Sequence, residues 1–379
     1  MSNDNDNHDQ AELYLGLISG TSADGIDVAL VDCAEGRARL LQGATITLAP
    51  TLRQQVLALS QGDGSFDIDQ YGRLDVQLGE AFAAASLALL GAAGVAPEEI
   101  RAIGSHGQTV RHRPLGAHPF TLQLGDASII AERTGIPTVA DFRRADVAAG
   151  GQGAPLLPIL HARLIATPDE PCAVLNLGGI ANLTVLGDAN GIRGFDSGPA
   201  NALLDAWCQL LTGQPVDRGG ALAAQGRLDR DLLNALLRDP YFAAPPPKST
   251  GREYFHLRWL DSHLRGRDIA VADVQATLLA LTVQSVVHAL AEHAPSTRRL
   301  WVCGGGVHNV HLMQSLKKAL PFPVHSTADF GIDPDFIEAT AFAWLARARL
   351  RGIPGNVPSV TGARGSRVLG AIHSPRPSF

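Results

Sequence analysis

The chain has 379 residues, 45% hydrophobic and 18% charged, with a formal net charge of −6. Such a length exceeds the usual size of one hydrophobic core, so two domains are expected, and the composition excludes a disordered chain. The acidic balance argues against a nucleic-acid-binding surface. Residues 1–12 open polar and rich in Asn and Asp, and are expected to form a disordered tail; they lack the basic start and apolar stretch of a signal peptide. No unbroken apolar run approaches the roughly 20 residues of a membrane span. The cysteines, Cys33, Cys172, Cys208 and Cys303, have neither zinc-ligand nor redox-motif spacing and read as buried thiols in a reducing cytoplasm.

Leu13 to Ser19, Ile26 to Asp32 and Arg39 to Leu48 are predicted as a three-strand meander whose first turn is Ser19 to Gly25. A helix follows over Gln70 to Ala93, then a short strand, Arg101 to Ser105, then a helix at Ala127 to Thr134 and a strand at Pro137 to Phe142. This order defines one α/β domain over residues 13–160, with the breaker-rich Gly150 to Pro155 as a hinge region. The pattern restarts at Ala173 with strand, glycine turn, strand, and a third strand ending at Phe195 and Asp196. Helices are predicted at Asn201 to Leu211, Val274 to Ala291, Val310 to Ala319 and Asp335 to Arg351, with a strand at Arg299 to Val302 and a rigid loop at Pro245 to Gly251. The second domain thus spans 161–379, its last helix able to pack back on the first. Two halves that both open strand, glycine turn, strand suggest a duplicated architecture.

Three glycine-bearing loops carry the chemistry: Ser19–Gly25, Asn176–Asn182 and Gly304–Gly306. Glycine allows backbone N–H groups to approach an anion closely, and three such loops suggest a nucleotide held between two domains. No Lys follows a Gly, which excludes a P-loop, and no Lys precedes residue 248, which excludes a protein kinase. The first loop opens a strand rather than a helix, unlike a dinucleotide fold. Phosphate must therefore be bound by backbone amides, hydroxyls and a metal ion: Ser19, Gly20, Thr21, Ser22 and Gly25 in the first loop, Asn176, Gly178, Gly179 and Asn182 in the second, Gly304, Gly305 and Gly306 in the third. Turn composition alone also accounts for the first two. Asp196, at a strand end, is the candidate general base, or else a cap-like Asp at a helix start. Glu338 is a second carboxylate, or a partner of the helix dipole. Ser105, His106, Gln108 and Thr109 make a polar set able to read a sugar. Arg143 and Asp146 follow, as anion-binding residues or, with Arg144, as a surface ion-pair cluster.

Seven segments together closely resemble the anhydro-N-acetylmuramic acid kinase family. They are Ser19-Gly20-Thr21-Ser22-Ala23-Asp24-Gly25-Ile26-Asp27, Gly104-Ser105-His106-Gly107-Gln108-Thr109, Gly151-Gln152-Gly153-Ala154-Pro155-Leu156, Asn176-Leu177-Gly178-Gly179-Ile180-Ala181-Asn182, Phe195-Asp196-Ser197-Gly198-Pro199, Lys248-Ser249-Thr250-Gly251-Arg252-Glu253-Tyr254-Phe255 and Cys303-Gly304-Gly305-Gly306. The resemblance implies a two-domain α/β fold of the actin-like ATPase and sugar-kinase type, with an interdomain cleft for nucleotide and substrate. It implies ATP with magnesium, and a kinase of peptidoglycan recycling that opens the 1,6-anhydro ring of its amino sugar with water and phosphorylates the 6-oxygen. Asp196 would then activate the water, and the three loops would hold ATP. The expected partner is the small sugar alone, without nucleic acid or membrane, in a cytoplasmic homodimer; the metal ligands stay open. Ala23 stands where a larger apolar residue is expected, Ala200 where Gly is expected, and Gly220 where a more polar residue is expected. Two other readings stay open: an actin-like ATPase switch without a sugar acceptor, and a glycosidase using Asp196 and Glu338.

Overall fold

The apolar runs at the start of the chain form an antiparallel meander, β1 (Leu13–Ser19), β2 (Gly25–Asp32) and β3 (Arg39–Thr47). In the computed structural model, which describes residues 11–20, 23–61, 67–165, 170–187, 191–251 and 254–376, β1 also pairs in parallel with β4 (Ile100–Arg113). β4 pairs with β5 (Phe120–Leu124) and β6 (Thr138–Ala140), and β12 (Ala371–His373) adds antiparallel to β6, giving the order β12-β6-β4-β1-β2-β3. The second sheet repeats this plan. β7 (Cys172–Leu177), β8 (Ile180–Leu186) and β9 (Arg193–Pro199) form a meander, and β10 (Arg299–Cys303) and β11 (Val324–Ser326) extend it in parallel, giving β11-β10-β7-β8-β9. The expected duplication is thus a repeat of topology.

The chain divides into two units, Met1–Leu164 with Phe336–Phe379, and Ile165–Asp335. The segment after residue 335 therefore belongs with the first sheet, whereas the sequence-based division at 160 leaves it with the second half. The reason is a glycine pair. Gly16 and Gly104 lie opposite each other on β1 and β4, and a Cβ on either would run into the Ala339 or Phe342 carbonyl oxygen. Without side chains there, the helix Ile337–Leu350 lies directly on the strands. That helix is buried nearly all round, with Ala339, Ala341, Ala343, Ala346 and Ala348 all inside. The other face of the first sheet is covered by the helix Ile68–Ala93, which buries Leu74, Leu78, Phe82 and Leu89.

Several local expectations need correction. The strand expected to stop at Ser105 runs on to Arg113, because Gly107 takes φ +73° and lets the chain bend without leaving the sheet. The expected hinge at Gly150 to Pro155 is fastened inside the first unit: Gly151 N–H donates to Asp146 O, Gly153 N–H to Asp146 Oδ2 at 2.7 Å, and Gln152 N–H to Thr361 O at 2.7 Å. Two helices, Ile68–Ala93 and Val271–His293, are long and apolar enough by composition to span a membrane, each with a window hydropathy of 1.5. Their apolarity is spread among Ala and polar residues rather than gathered in one run, and each contributes to its unit's core. The expected tail falls mostly on residues 1–10, outside the described residues.

Three imidazoles of the first unit are pushed down by burial: His106 well below its ordinary value, His112 to about 4 and His161 to about 3. Each is neutral in the folded chain and becomes protonated in the unfolded chain below about pH 6.5. Their stabilising contribution is therefore complete above that pH and declines as the pH falls toward the folded values. For His161 the loss by pH 5 is about 2 kcal/mol. Thermal unfolding should shift to lower temperature from pH 7 to pH 5, and His161→Leu should flatten that dependence; an unchanged slope in the variant would contradict the assignment.

Candidate functional site

In the first unit the parallel β1–β4 pair sets Leu17 opposite Ser105 and Ser19 opposite Gln108. Ser19, Ser105 and Gln108 are each no more than 2% exposed, yet Ser19 Oγ, Ser105 Oγ and Gln108 Oε1 have no hydrogen-bond partner among the described residues. Leaving such atoms unpaired is costly, so their grouping at one strand pair marks a place completed by a ligand or water. Gln108 Nε2 donates to Gly20 O at 3.2 Å, and Ala23 N–H donates to the same oxygen at 3.0 Å, fixing the start of the first loop. A Cβ at Gly20 would meet nothing within 4 Å, so the space beside the loop is open. Thr21 and Ser22 lie outside the described residues. Asp24 is exposed and pairs with Arg53 at 2.7 Å. Gly25 starts β2 against Thr45 and Ile46, where a Cβ would crowd β3. Thr109 Oγ1 accepts from Gln123 Nε2 at 3.1 Å.

Arg143 is half-buried and donates from Nε to His106 Nε2 at 2.9 Å and from Nη1 to Gly153 O at 2.6 Å. His106 Nδ1 lies 3.0 Å from Gly107 O. A neutral ring protonated at Nδ1 satisfies both bonds, and burial together with the Arg143 charge keeps it neutral. Burial lowers Arg143 to about 10, with Glu338 and Asp146 acting against that fall, so it stays a cation at neutral pH. Glu338, half-buried in the first turn of its helix, is thereby an electrostatic neighbour of Arg143. The surface ion pair is instead made by Arg144, to Asp141 at 3.5 Å. Asp146 is fully buried and accepts from Gly153 N–H, from Asn356 Nδ2 at 2.6 Å and from Thr361 Oγ1 at 2.8 Å. Its carboxylate is an internal strut joining the 151–153 loop to the C-terminal segment.

In the second unit Asp196 sits on the edge strand β9, opposite Asn182, where a β-bulge lies at Ala181/Asn182. Asn182 Nδ2 donates to Asp196 Oδ1 at 2.6 Å, and Thr250 N–H donates to Oδ2 at 2.9 Å. Both neighbours are N–H donors, so the carboxylate is fixed in position and presented as an acceptor. Asp196 therefore lies within a strand and does not cap the helix Asn201–Thr212. The orphan amides at that helix start are satisfied by the second loop: Ala200 N–H and Ala202 N–H donate to Gly179 O and Asn201 N–H to Gly178 O. Gly178 and Gly179 thus have their carbonyls turned to the helix. In the third loop Gly304 takes φ +80° and, like Gly306, would drive a Cβ into Asn176 or Leu177, whereas a Cβ at Gly305 would meet nothing within 4 Å. Gly304 and Gly306 are glycines for packing, and Gly305 opens onto space that a ligand can fill. The unpartnered buried hydroxyls beside the open face of Gly20 in the first unit, and separately the open face of Gly305 in the second, are each of a kind that suits a phosphate-bearing ligand. Among the described residues, no three His, Cys, Asp or Glu side chains gather as a metal site.

Two of the sequence departures have a local account. Gly220 takes φ +76° and packs against Asn309 and His311, which leaves no room for a side chain. Ala200 is buried at φ −125°, outside the region that favours glycine. Ala23 is fully buried in the first core at φ +51°, and nothing further accounts for its size.

The order β6-β4-β1-β2-β3 within the first sheet recurs as β11-β10-β7-β8-β9 in the second, with glycine turns after β1, β7 and β10, which is the duplicated α/β fold of the actin-like, sugar-kinase type. The family model for anhydro-N-acetylmuramic acid kinase matches residues 12–375. The anhydro-N-acetylmuramic acid kinase of Xanthomonas campestris pv. campestris is 57% identical over 370 residues, covering 97% of this chain and 98% of the relative. That of Coxiella burnetii is 50% identical over 366 residues, covering 96% and 97%. The chain belongs to the anhydro-N-acetylmuramic acid kinase family. Component A of the (R)-2-hydroxyglutaryl-CoA dehydratase of Acidaminococcus fermentans is a solved structure with a TM-score of 0.48 at 11% identity, covering 88% of this chain and 97% of that one.

Sequence reasoning missed the residues that hold these groups. Asn356, Thr361 and Thr250 carry no periodic signal, and the carboxylates they hold lie 210, 215 and 54 positions away in the chain. The Lys248–Phe255 segment was legible only as part of the family resemblance, without a role.

Proposed function

We propose that this chain is an ATP-dependent kinase that opens the 1,6-anhydro ring of 1,6-anhydro-N-acetylmuramic acid and phosphorylates its 6-oxygen, in the recycling of peptidoglycan. The observation that carries the mechanism is Asp196, a carboxylate fixed by Asn182 and Thr250 as a proton acceptor. Asp196 takes a proton from water while the hydroxide bonds to the anomeric carbon and the bond from that carbon to the 6-oxygen breaks. The freed 6-oxygen takes the γ-phosphoryl group, ADP leaves, and Asp196 returns its proton to solvent. Water, sugar and ATP become N-acetylmuramic acid 6-phosphate, ADP and a proton.

ATP supplies the phosphoryl group. Ser19, Gly20, Thr21, Ser22, Asp24 and Gly25 of the first loop would hold its phosphates, with Asn176, Gly178, Gly179 and Asn182 of the second and Gly304–Gly306 of the third as the further nucleotide-binding residues. The unpartnered Ser19 Oγ and the open faces of Gly20 and Gly305 support this reading. Magnesium would arrive with the phosphates. Ser105, His106, Gln108, Thr109 and Arg143 would contact the sugar, supported by the unpartnered Ser105 Oγ and Gln108 Oε1. The partners of Asp146 support a scaffold role in its place. Free buried Cys33, Cys172, Cys208 and Cys303 suit a reducing cytoplasm, while the homodimer rests on the resemblance alone.

The test is a product assay with ATP, magnesium and the anhydro sugar. Formation of the 6-phosphate in step with ADP is expected. ATP turnover without sugar would favour a switch ATPase, and ring opening without ATP would favour a glycosidase.

A further inference from the structure

Asp196 is held by more than its two carboxylate contacts. It lies on β9, the edge strand of the second sheet, where among the described residues one side of the backbone has no neighbouring strand. The segment 241–250 takes that side. Asp196 N–H donates to Lys248 O at 3.0 Å, and the Tyr241 hydroxyl donates to Asp196 O at 2.8 Å. The Lys248 ammonium then closes the circuit, donating to Tyr241 O and Phe242 O at 3.2 Å each and lying 4.9 Å over the Tyr241 ring. Two residues on, Thr250 N–H reaches the carboxylate itself. The circuit is Asp196 to Tyr241, Tyr241 to Lys248, and Lys248 back to Asp196.

The platform beneath it is rigid. The Tyr241 ring packs edge-on to Phe242 and Phe255 at 5.9 and 5.3 Å and against Tyr254 at 5.8 Å. Asp239 caps Tyr241 N–H at 2.9 Å and accepts from Tyr254 and from Trp259 Nε1. Burial raises the Tyr241 hydroxyl well above its ordinary value, so it stays a donor throughout the working range.

We propose that Tyr241 and Lys248 are positioning residues for the reaction: they clamp the edge strand so that the Asp196 carboxylate points at its water. The Asp196 charge acts on both groups, and the hydrogen bonds shown for their side chains run to the backbone of Asp196 and of the 241–250 segment. This inference rests on Asp196 being the base, as proposed above. A displacement of the base by about 1 Å costs on the order of a hundredfold, so loosening one backbone bond should cost about tenfold in kcat.

The test uses the full chain with Tyr241→Phe, Lys248→Met, Lys248→Arg, Asp196→Asn and the double variant Tyr241→Phe/Asp196→Asn. Tyr241→Phe keeps the ring contacts and removes only the hydroxyl. Its kcat should fall about tenfold, with KM for sugar and ATP within about twofold. Lys248→Met should match it, and Lys248→Arg, which still offers donors to the two carbonyls, should recover most of the loss. In the Asp196→Asn background, Tyr241→Phe should cause no further loss, since the group it positions is gone. A native kcat for Tyr241→Phe while Asp196→Asn is inactive would overturn the inference and leave the proposed mechanism standing. So would the same loss in both backgrounds, which would mean that Tyr241 does not act through Asp196. Near-native turnover in Asp196→Asn alone would instead overturn the underlying mechanism.

Discussion

Asp196→Asn should lower turnover of the anhydro sugar by at least about a hundredfold, the lower range for removal of a general base. The substitution keeps the shape of the side chain but replaces one acceptor oxygen by an NH2 group. Asn182 Nδ2 and Thr250 N–H both donate to the carboxylate, so the amide must face one of these donors with its own N–H or rotate away. A modest loss of stability is therefore expected beside the loss of rate, and the two are separated by measuring kcat at a temperature where the variant is fully folded. ATP affinity should change little, because Asp196 lies outside the three glycine loops and meets the second only through the side chain of Asn182 at its end. The variant should also fail to phosphorylate without hydrolysis, since no free 6-hydroxyl exists until the ring opens. Native turnover in the folded variant would remove Asp196 as the base. Glu338 would then be the next carboxylate to test; its electrostatic partner Arg143 belongs to the His106 cluster.

The meanders were legible because each opens with an apolar run, β1 or β7, that ends in a glycine turn, and that pattern survives in a single sequence. Of the short pieces only β6 was, within the strand expected at Pro137 to Phe142. β11 and β12 have three residues each, too few to show a period of two. That the last helix, Ile337–Leu350, could pack back on the first domain was expected, but the strand face it takes was not legible. Gly16 and Gly104 look like ordinary strand glycines, and only the carbonyls of Ala339 and Phe342 against them reveal that a helix lies there. The candidate site divides in the same way. Residue type marked Ser19, Ser105, Gln108 and Asp196 as polar groups at strand ends, where unpaired or functional atoms are found. It also marked Asp146, whose chemistry is the same but whose oxygens are taken by Gly153, Asn356 and Thr361. Nothing local separates an acid facing a ligand from one that ties loops together; the partners of Asp146 lie up to 215 positions away.

The glycines give the second large effect. Sequence alone treats Gly16, Gly20, Gly304 and Gly305 alike, but the space around each sets its role. Gly16→Ala would push a methyl group into the Ala339 carbonyl, and backbone at that distance cannot yield without moving the helix from β1. It should destabilise the first unit by about 3 kcal/mol or more, in the upper range for overpacking, and lower activity only through loss of folded protein. Gly20→Val should do the reverse. Its Cβ meets no protein atom within 4 Å and its backbone is not left-handed, so stability should stay within about 0.5 kcal/mol of the parent. The added isopropyl group instead occupies the space assigned to the phosphates. Turnover should fall by at least about a hundredfold, the cost of displacing a reacting group by an ångström. Gly305→Ala, with the same open surroundings, should raise KM for ATP while leaving thermal unfolding unchanged. The decisive comparison is unfolding temperature against kcat/KM for ATP across the three variants. A stable Gly20→Val enzyme with native kcat/KM would show that the first loop does not hold the phosphates, because no other contact at Gly20 could hide the effect of the side chain.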